Sequence, residues 1–356
     1  MACKKCEEKF ELQELASNIY FMSDVKEVTL KCIKFFDKIG LHVEHKEGIV
    51  FAHVDNAANF FYENIDYIKS SFSDIEKNSI RIFIEDVKNP FGLQAVLGAK
   101  SLQVYINFLC DKDFFDIINN ESITSHFQPI LSHTEKNIFG YEALARGVKQ
   151  DGSLMFPDEL FTKSAQNNMN FKVDRLCRES ALKNAAVKKI TQKVFINFIP
   201  TTIYDPKFCL ASTVKWANQL EFDPKNIIFE VIETEQAKDV EHLKNILLYY
   251  RKQGYKIALD DVGAGYSGLN LLIDLHPDII KVDRKIIDGI DRDSLKQSIY
   301  KALYDICRMH DITVLAEGIE TPYEYSFIES VGVDLMQGYY FAKPTAEPVR
   351  QIKRIF

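Results

Sequence analysis

The sequence contains no apolar run near the roughly 20 residues that a helix needs to span a bilayer. Its first segment, MACKKCEEKF, has no apolar core of a secretory signal peptide. Positive charge is not in excess, since 44 Lys and Arg stand against 51 Asp and Glu among 356 residues. These absences argue against a membrane, export and a nucleic acid polymer as partner. We therefore expect a cytoplasmic protein.

Cysteine occurs seven times at scattered positions, and the odd count argues against a disulfide framework. Cys177, Cys209 and Cys307 fall in helical or loop contexts, where we expect buried thiols rather than metal ligands. Cys3 and Cys6 form a CxxC pair, which suits half of a zinc site. Because no second CxxC follows, a frayed terminus or a redox-reactive pair is the alternative.

Hydrophobic residues make up 46% and charged residues 27% of the chain, which is ordinary globular composition. Residues 1–112 are predicted to form a small α+β domain of ferredoxin-like type, with a sensory or dimerising role. Its periodicity gives the order strand, helix, strand pair, helix, strand. The predicted elements cover 18–22, 24–39, 48–54, 56–72 and 79–84, with Asp24 as the first helix cap.

Residues 113–356 have a different pattern, in which eight short apolar runs alternate with amphipathic helices. This alternation predicts a parallel sheet, and eight runs fit a modified TIM (β/α)8 barrel. A helix over 111–121 is predicted to link the two domains. The runs cover 127–131, 139–145, 194–198, 227–231, 256–259, 279–282, 313–316 and 336–341.

Polar groups stand near the carboxyl ends of these runs, or at the start of the last one. They are Glu142, Asn197, Glu230, Asp260, Asp261, Lys281, Asp283, Glu317 and Gln337. In a barrel the carboxyl ends converge on one face. The carboxylate and amide oxygens are a donor set for Mg²⁺ or Mn²⁺, and adjacent Asp260 and Asp261 suit a two-metal site. Lys281 suits a water or a phosphate oxygen.

A single Glu at a strand end is usually a solvated loop residue, and the glycine-rich stretch 263–268 alone is weak evidence because turns use glycine. Five of these carboxylates, together with the lysine, the asparagine and the glutamine, at matched positions of seven runs are hard to obtain by accident. The set as a whole therefore favours a metal-dependent phosphoryl-transfer site.

These motifs resemble the EAL family of cyclic-di-GMP phosphodiesterases over about residues 120–350. The matching stretches are YEALAR at 141–146, FINF at 195–198, FEVIETE at 229–235, LDDVGAGYSGL at 259–269, IIKVD at 279–283, LAEGIET at 315–321 and QGYYFAKP at 337–344. The resemblance implies hydrolysis of cyclic di-GMP to linear 5′-pGpG, which lowers this second messenger in bacterial signalling. One departure is visible, because Val262 stands where the family usually has Phe.

The resemblance also implies roles for individual residues. Glu142, Asn197, Glu230 and Asp260 would hold one Mg²⁺ or Mn²⁺, and Asp260, Asp261 and Glu317 the second, with Ca²⁺ inhibitory. Lys281 would hold the attacking water or assist its deprotonation, Glu317 is ligand or general base, and Glu233 would anchor the loop 262–269. The expected substrate-binding residues are Gln128, Arg146, Asp283 and Gln337.

The family also commonly forms a homodimer through the barrel. Two other functions stay open at this point. One is a catalytically silent cyclic-di-GMP receptor that acts through protein contacts. The other is an interaction module in which the barrel is only a scaffold.

Overall fold

The computed structural model describes residues 11–12, 14–86, 98–232, 240–263 and 268–352. The chain divides into two compact units, with the division between residues 120 and 121. Cys3, Cys6 and Glu233 lie outside the described residues. Among the helices that are described, none is both long and apolar enough to cross a membrane.

The first unit contains an antiparallel sheet with helices packed on it. Its strands are β1 Ser17–Met22, β2 Val43–Lys46, β3 Ile49–Val54, β4 Arg81–Asp86 and β5 Lys100–Ser101. Its helices are α1 Lys26–Lys38, α2 Ala57–Ser71, α3 Asp74–Ser79, α4 Leu102–Cys110 and α5 Lys112–Asn119. The strand order β2-β3-β1-β4-β5 places the first four strands as in a ferredoxin-like βαββαβ fold. The helix predicted over 111–121 is α5 and belongs to this unit.

The predicted cap of α1 is wrong. The helix begins at Lys26 after Val25, and no side chain caps it. The Ser23 hydroxyl accepts a hydrogen bond from the Val25 amide at 3.2 Å, so the turn before the helix is closed one residue earlier than Asp24. The helix predicted over 56–72 is α2, and the Asn56 side chain caps it by accepting from the Asn59 amide at 2.9 Å.

The second unit begins with β6 Ile123–Ser132 and β7 Asn137–Val148, followed by β8 Leu154–Met155, α6 Pro157–Gln166 and α7 Asn170–Val187. After them come β9 Lys193–Asn197, α8 Pro206–Cys209, α9 Ala211–Gln219, β10 Ile227–Ile232, α10 Val240–Lys252, β11 Lys256–Val262, α11 Gly268–Leu275 and β12 Ile279–Val282. The last elements are α12 Arg284–Ile287, α13 Ser294–Met309, β13 Thr313–Ala316, α14 Pro322–Val331 and β14 Leu335–Met336.

Among the described residues, eight strands close into a barrel in the order β6-β14-β13-β12-β11-β10-β9-β7, and β6 pairs with β7 to complete it. The barrel class is as predicted, but the sheet is not wholly parallel, because β6 runs antiparallel to both of its neighbours. The cause is the short link between β6 and β7: a hairpin joins antiparallel strands, whereas a parallel pair needs a crossover of roughly a dozen residues.

The predicted last strand over 336–341 is too long. The structure ends β14 at Met336, and Gln337 therefore stands at its carboxyl end rather than at the start of a run. A Cβ on Gly338 would lie 2.0 Å from the carbonyl oxygen of Ile319. Glycine, which has no Cβ, allows the chain to pass this close to the Ile319 backbone as it turns away from the sheet.

Candidate active site

An apolar layer fills the barrel interior, and every one of the eight strands contributes to it. Seven of these side chains are buried and Phe139 is half-buried. They are Ile130, Phe139, Phe195, Ile228, Ala258, Ile279, Leu315 and Leu335. Such layers of inward side chains are the normal filling of a small closed barrel.

A polar layer lies directly above this apolar one. Since side chains alternate along a strand, the residue two positions further also points into the barrel. For seven of the apolar residues, the residue two positions closer to the barrel mouth is polar. On β6, which runs in the opposite direction, it precedes the apolar residue. These polar residues are Gln128, Asn197, Glu230, Asp260, Lys281, Glu317 and Gln337. Glu142 joins them from β7. Seven of the nine residues predicted from the run ends thus belong to this layer, and the other two, Asp261 and Asp283, stand one residue after Asp260 and two residues after Lys281.

Lys281 lies at the centre of the polar layer and is 1% exposed. Its Nζ lies 2.9 Å from Glu230 Oε1 and 2.9 Å from Asp260 Oδ1. It also lies 3.2 Å from Glu317 Oε2 and 3.8 Å from Glu142 Oε1. One ammonium therefore faces four carboxylates, and the surroundings remain short of positive charge.

The Glu142 carboxylate is oriented by two side-chain amides. Asn197 Nδ2 donates to Glu142 Oε1 at 3.1 Å, and Gln337 Nε2 donates to Glu142 Oε2 at 2.7 Å. Because the NH₂ group of Asn197 points to Glu142, the amide oxygen of Asn197 points in a different direction within the barrel mouth. This leaves an amide oxygen as a further donor for a hard cation.

Asp260 and Asp261 reach one site although neighbours on a strand point to opposite faces. The pairing of β11 with β12 shifts between Leu259 and Val262, and Asp261 has a φ of 56°. A β-bulge with a residue in the left-handed region re-aims a side chain in this way, and Asp tolerates that region better than most residues. Carboxylate oxygens of Asp260, Asp261 and Glu317 lie within 4.8 Å of one another.

The proton affinities of these groups are displaced by burial and by each other. Burial raises the pKa of Glu230, Glu317 and Asp260, and the neighbouring carboxylates add to the effect. Burial, Asp260 and Asp283 raise the pKa of Asp261 from 3.8 to about 7. Burial opposes the charge of Lys281, but the surrounding carboxylates outweigh it and raise its pKa well above the usual value.

The donor set fits one or more divalent cations. Glu230 is 0% exposed; its Oε1 lies 2.9 Å from Lys281 Nζ, an ammonium that three other carboxylates share, and within the described part of the chain its Oε2 has no hydrogen-bond donor. A buried carboxylate left in this state is costly unless a cation satisfies it. The donors around it are carboxylate and amide oxygens, which suit Mg²⁺ and Mn²⁺ and not a soft metal.

Arg146 and Gln128, both predicted to bind substrate, make hydrogen bonds to backbone carbonyls. Arg146 is four residues beyond Glu142 on β7, where its Nη1 donates to the carbonyls of Leu144 and Ala145 and its guanidinium lies 5.0 Å from the ring centre of Phe156. Gln128 Nε2 donates to the Ala342 carbonyl at 3.3 Å.

Asp283 also has a structural role that its sequence motif did not predict. Its Oδ1 caps α12 by accepting from the Lys285 amide at 2.8 Å. The same side chain borders Asp261 and adds to the rise in that residue's pKa.

Sequence reasoning missed a buried ion pair that contacts the chain just after β9. Asp174 and Arg178 lie one turn apart on α7 and are each 2% exposed. Asp174 Oδ1 accepts from the Ile199 amide at 2.8 Å, two residues after Asn197. The sequence did contain an indication, because these two charged residues share a face of the predicted helix with apolar residues that are expected to be buried.

Fold and site together define a class: a (β/α)8-type barrel with a layer of acidic side chains at the mouth where such barrels place their functional residues. Over residues 112–344 the sequence matches the EAL domain family, and the chain belongs to that family.

The chain is 29% identical over 231 residues to the probable cyclic di-GMP phosphodiesterase PdeG of Escherichia coli K12. This match covers 64% of the chain and 45% of PdeG, so the chain spans less than half the length of that relative. A standalone versatile EAL protein from Vibrio cholerae O395, in its c-di-GMP-bound form, is 39% identical with a TM-score of 0.59, over 65% of this chain and 95% of that one. Klebsiella pneumoniae BlrP1 is 21% identical with a TM-score of 0.59, and it resembles 95% of this chain and 98% of its own in fold.

Proposed function

We propose that this chain is a divalent-cation-dependent phosphodiesterase that hydrolyses cyclic di-GMP to linear 5′-pGpG, and so lowers this second messenger in bacterial signalling. The observation that carries the proposal is the complete polar layer at the barrel mouth, in which Lys281 lies between 2.9 and 3.8 Å from four carboxylates. The name of PdeG and the ligand of the Vibrio cholerae protein support the choice of reaction and substrate.

Two Mg²⁺ or Mn²⁺ ions fit the donors. Glu142, Asn197, Glu230 and Asp260 would hold the first, and Asp260, Asp261 and Glu317 the second. Two such cations, when bound, polarise the phosphate and supply a nucleophilic water at neutral pH. The carboxylates alone leave the mouth too negative for an anionic dinucleotide, so binding of substrate depends on compensation of their charge.

Lys281 orients the reactants. Its raised pKa keeps it an ammonium, which donates hydrogen bonds and cannot accept a proton, so it holds the attacking water or a phosphate oxygen. Glu317 is the better acceptor for the water proton, because burial raises its pKa. The water oxygen bonds to phosphorus, the bond from phosphorus to O3′ breaks, and O3′ leaves as a hydroxyl after taking one proton from solvent.

Groups at the edge of the mouth would bind the rest of the dinucleotide. Arg146 suits the second phosphate, and Gln128, Asp283 and Gln337 suit polar atoms of substrate or water. Glu233 would anchor the loop over 262–269. We further propose that the barrel forms a homodimer and that the first unit has a sensory or dimerising role.

The experiment separates binding from turnover. Calorimetry of the full chain with cyclic di-GMP in Ca²⁺ measures binding, and exchange into Mg²⁺ followed by mass analysis identifies the product. Binding in Ca²⁺ with 5′-pGpG appearing only in Mg²⁺ supports the proposal. Binding without any product in Mg²⁺ would indicate a silent receptor, and no binding in either cation would indicate a scaffold.

A further inference from the structure

A buried ion pair on α7 contacts the chain just after β9, the strand that carries Asn197. Arg178 Nε and Nη2 each lie 2.9 Å from Asp174 Oδ2, and Arg178 is the largest fully buried side chain of the described residues. Removing two charges from water is expensive, and a buried pair by itself is weak evidence for stability. The contacts of Asp174 point to another reason for its position.

Asp174 holds the chain where it leaves β9. The strand pairing with β10 ends at a bond of 3.4 Å from the Phe198 amide to the Glu230 carbonyl. The next amide, that of Ile199, donates instead to Asp174 Oδ1 at 2.8 Å. The Thr202 hydroxyl lies 3.1 Å from Asp174 Oδ2 and 2.7 Å from the Ile199 carbonyl, so it can donate to either.

Two further contacts complete the arrangement. Arg178 Nη1 donates to the Thr213 hydroxyl on α9. His242, near the start of α10, donates from its ring to the Ile203 carbonyl. The segment from Ile199 to Ile203 is therefore fixed at both ends by groups outside β9 and β10.

We propose that Asp174 is a positioning residue that sets the place of the Asn197 amide in the metal site by holding the chain two residues further on. The inference rests on the proposed function, since only there is Asn197 a metal ligand. The Asn197 NH₂ group must reach Glu142 while its oxygen faces the cation, and both depend on the backbone at the end of β9. Groups that orient metal ligands in this way commonly account for about 10–100-fold in metal affinity.

Two threonines give a matched test, because both are buried and both contact the ion pair. Thr202→Val removes the hydroxyl that contacts Asp174 and the Ile199 carbonyl, and Thr213→Val removes the one that contacts Arg178 from α9. Mn²⁺ affinity is measured by calorimetry on the full chain without nucleotide, and the melting temperature is measured in chelator. Thr202→Ser keeps the hydroxyl and serves as the conservative variant.

Thr202→Val should raise the Kd for Mn²⁺ about fivefold or more, whereas Thr213→Val and Thr202→Ser should stay within about twofold, at similar melting temperatures of the two valine variants. Asp174→Asn should raise the Kd about tenfold or more. Equal affinities of the two valine variants, or no Mn²⁺ binding by the wild-type chain, would overturn the inference. Mn²⁺ binding without formation of 5′-pGpG contradicts the proposed function and leaves this comparison valid.

Discussion

Replacing Lys281 with methionine should destabilise the metal-free protein strongly. The substitution keeps an unbranched side chain but removes the ammonium that lies 3.8 Å or less from four carboxylates. Loss of one partner from a buried charge cluster costs about 3–5 kcal/mol, and in a domain of this size that lowers the melting temperature by about 6–20 °C. Part of the cost is relieved by protonation, since the pKa values of Glu230 and Glu317 are already raised.

The assay is thermal unfolding of the wild type and of Lys281→Met, first in chelator and then with Mn²⁺. Mn²⁺ at about 100 times its Kd adds about 2.7 kcal/mol to a protein that binds it only when folded. We expect the variant to gain at least as much from Mn²⁺ as the wild type, because its carboxylates have lost their internal cation. The variant should form no 5′-pGpG even with Mn²⁺.

Lys256→Met is the matched control. Lys256 lies on β11 and its Nζ is 3.6 Å from Asp278 Oδ1, but this pair is partly exposed to solvent, with 45% and 32% of the two side chains accessible. An exposed pair contributes at most about 1 kcal/mol, so this variant should melt close to the wild type. If Lys281→Met in chelator is as stable as Lys256→Met, the description of the polar layer as a strained, cation-seeking cluster is wrong.

Three further predictions concern the same layer. Glu142→Ala should lower 5′-pGpG formation at least about 100-fold, because it removes a ligand and frees Asn197 and Gln337; unchanged turnover in excess Mg²⁺ would contradict the ligand role. The pKa of Asp261 is raised from 3.8 to about 7, so the metal-free protein should lose stability as pH rises from about 4 to about 7. Mn²⁺ has to displace that proton, so its Kd should rise about tenfold per pH unit below about 7; a flat calorimetric profile there would refute the assignment. Ca²⁺ in place of Mg²⁺ should suppress turnover in a product assay, and equal rates in the two cations would exclude the inhibition.

The polar layer could be predicted from the sequence because two local rules meet there. Apolar runs mark the strands, and the alternation of side chains carries the inward direction two residues further, from Leu315 to Glu317 or from Ile279 to Lys281. Barrel closure then brings these residues together without any knowledge of long-range contacts. The run-end pattern therefore held enough information to place a metal-seeking site at one mouth of the barrel.

Other features depend on information that is not local. The direction of β6 follows from the short link to β7, which the alternating pattern of runs concealed. The side chains of Asp260 and Asp261 reach the same site only because of a β-bulge and a φ of 56° at Asp261. A pattern of residue types shows neither feature. Asp174 and Arg178 look like a solvated i,i+4 pair until α7 packs on the barrel and buries them.

The most direct test of the central claim is a chromatographic time course of the purified chain with cyclic di-GMP, with Mg²⁺ or Mn²⁺ and in chelator. The polar layer around Lys281 predicts linear 5′-pGpG as the product, formed only when a divalent cation is present. Cyclic di-GMP that stays intact in Mg²⁺ and Mn²⁺, or that is hydrolysed equally well in chelator, would contradict the claim.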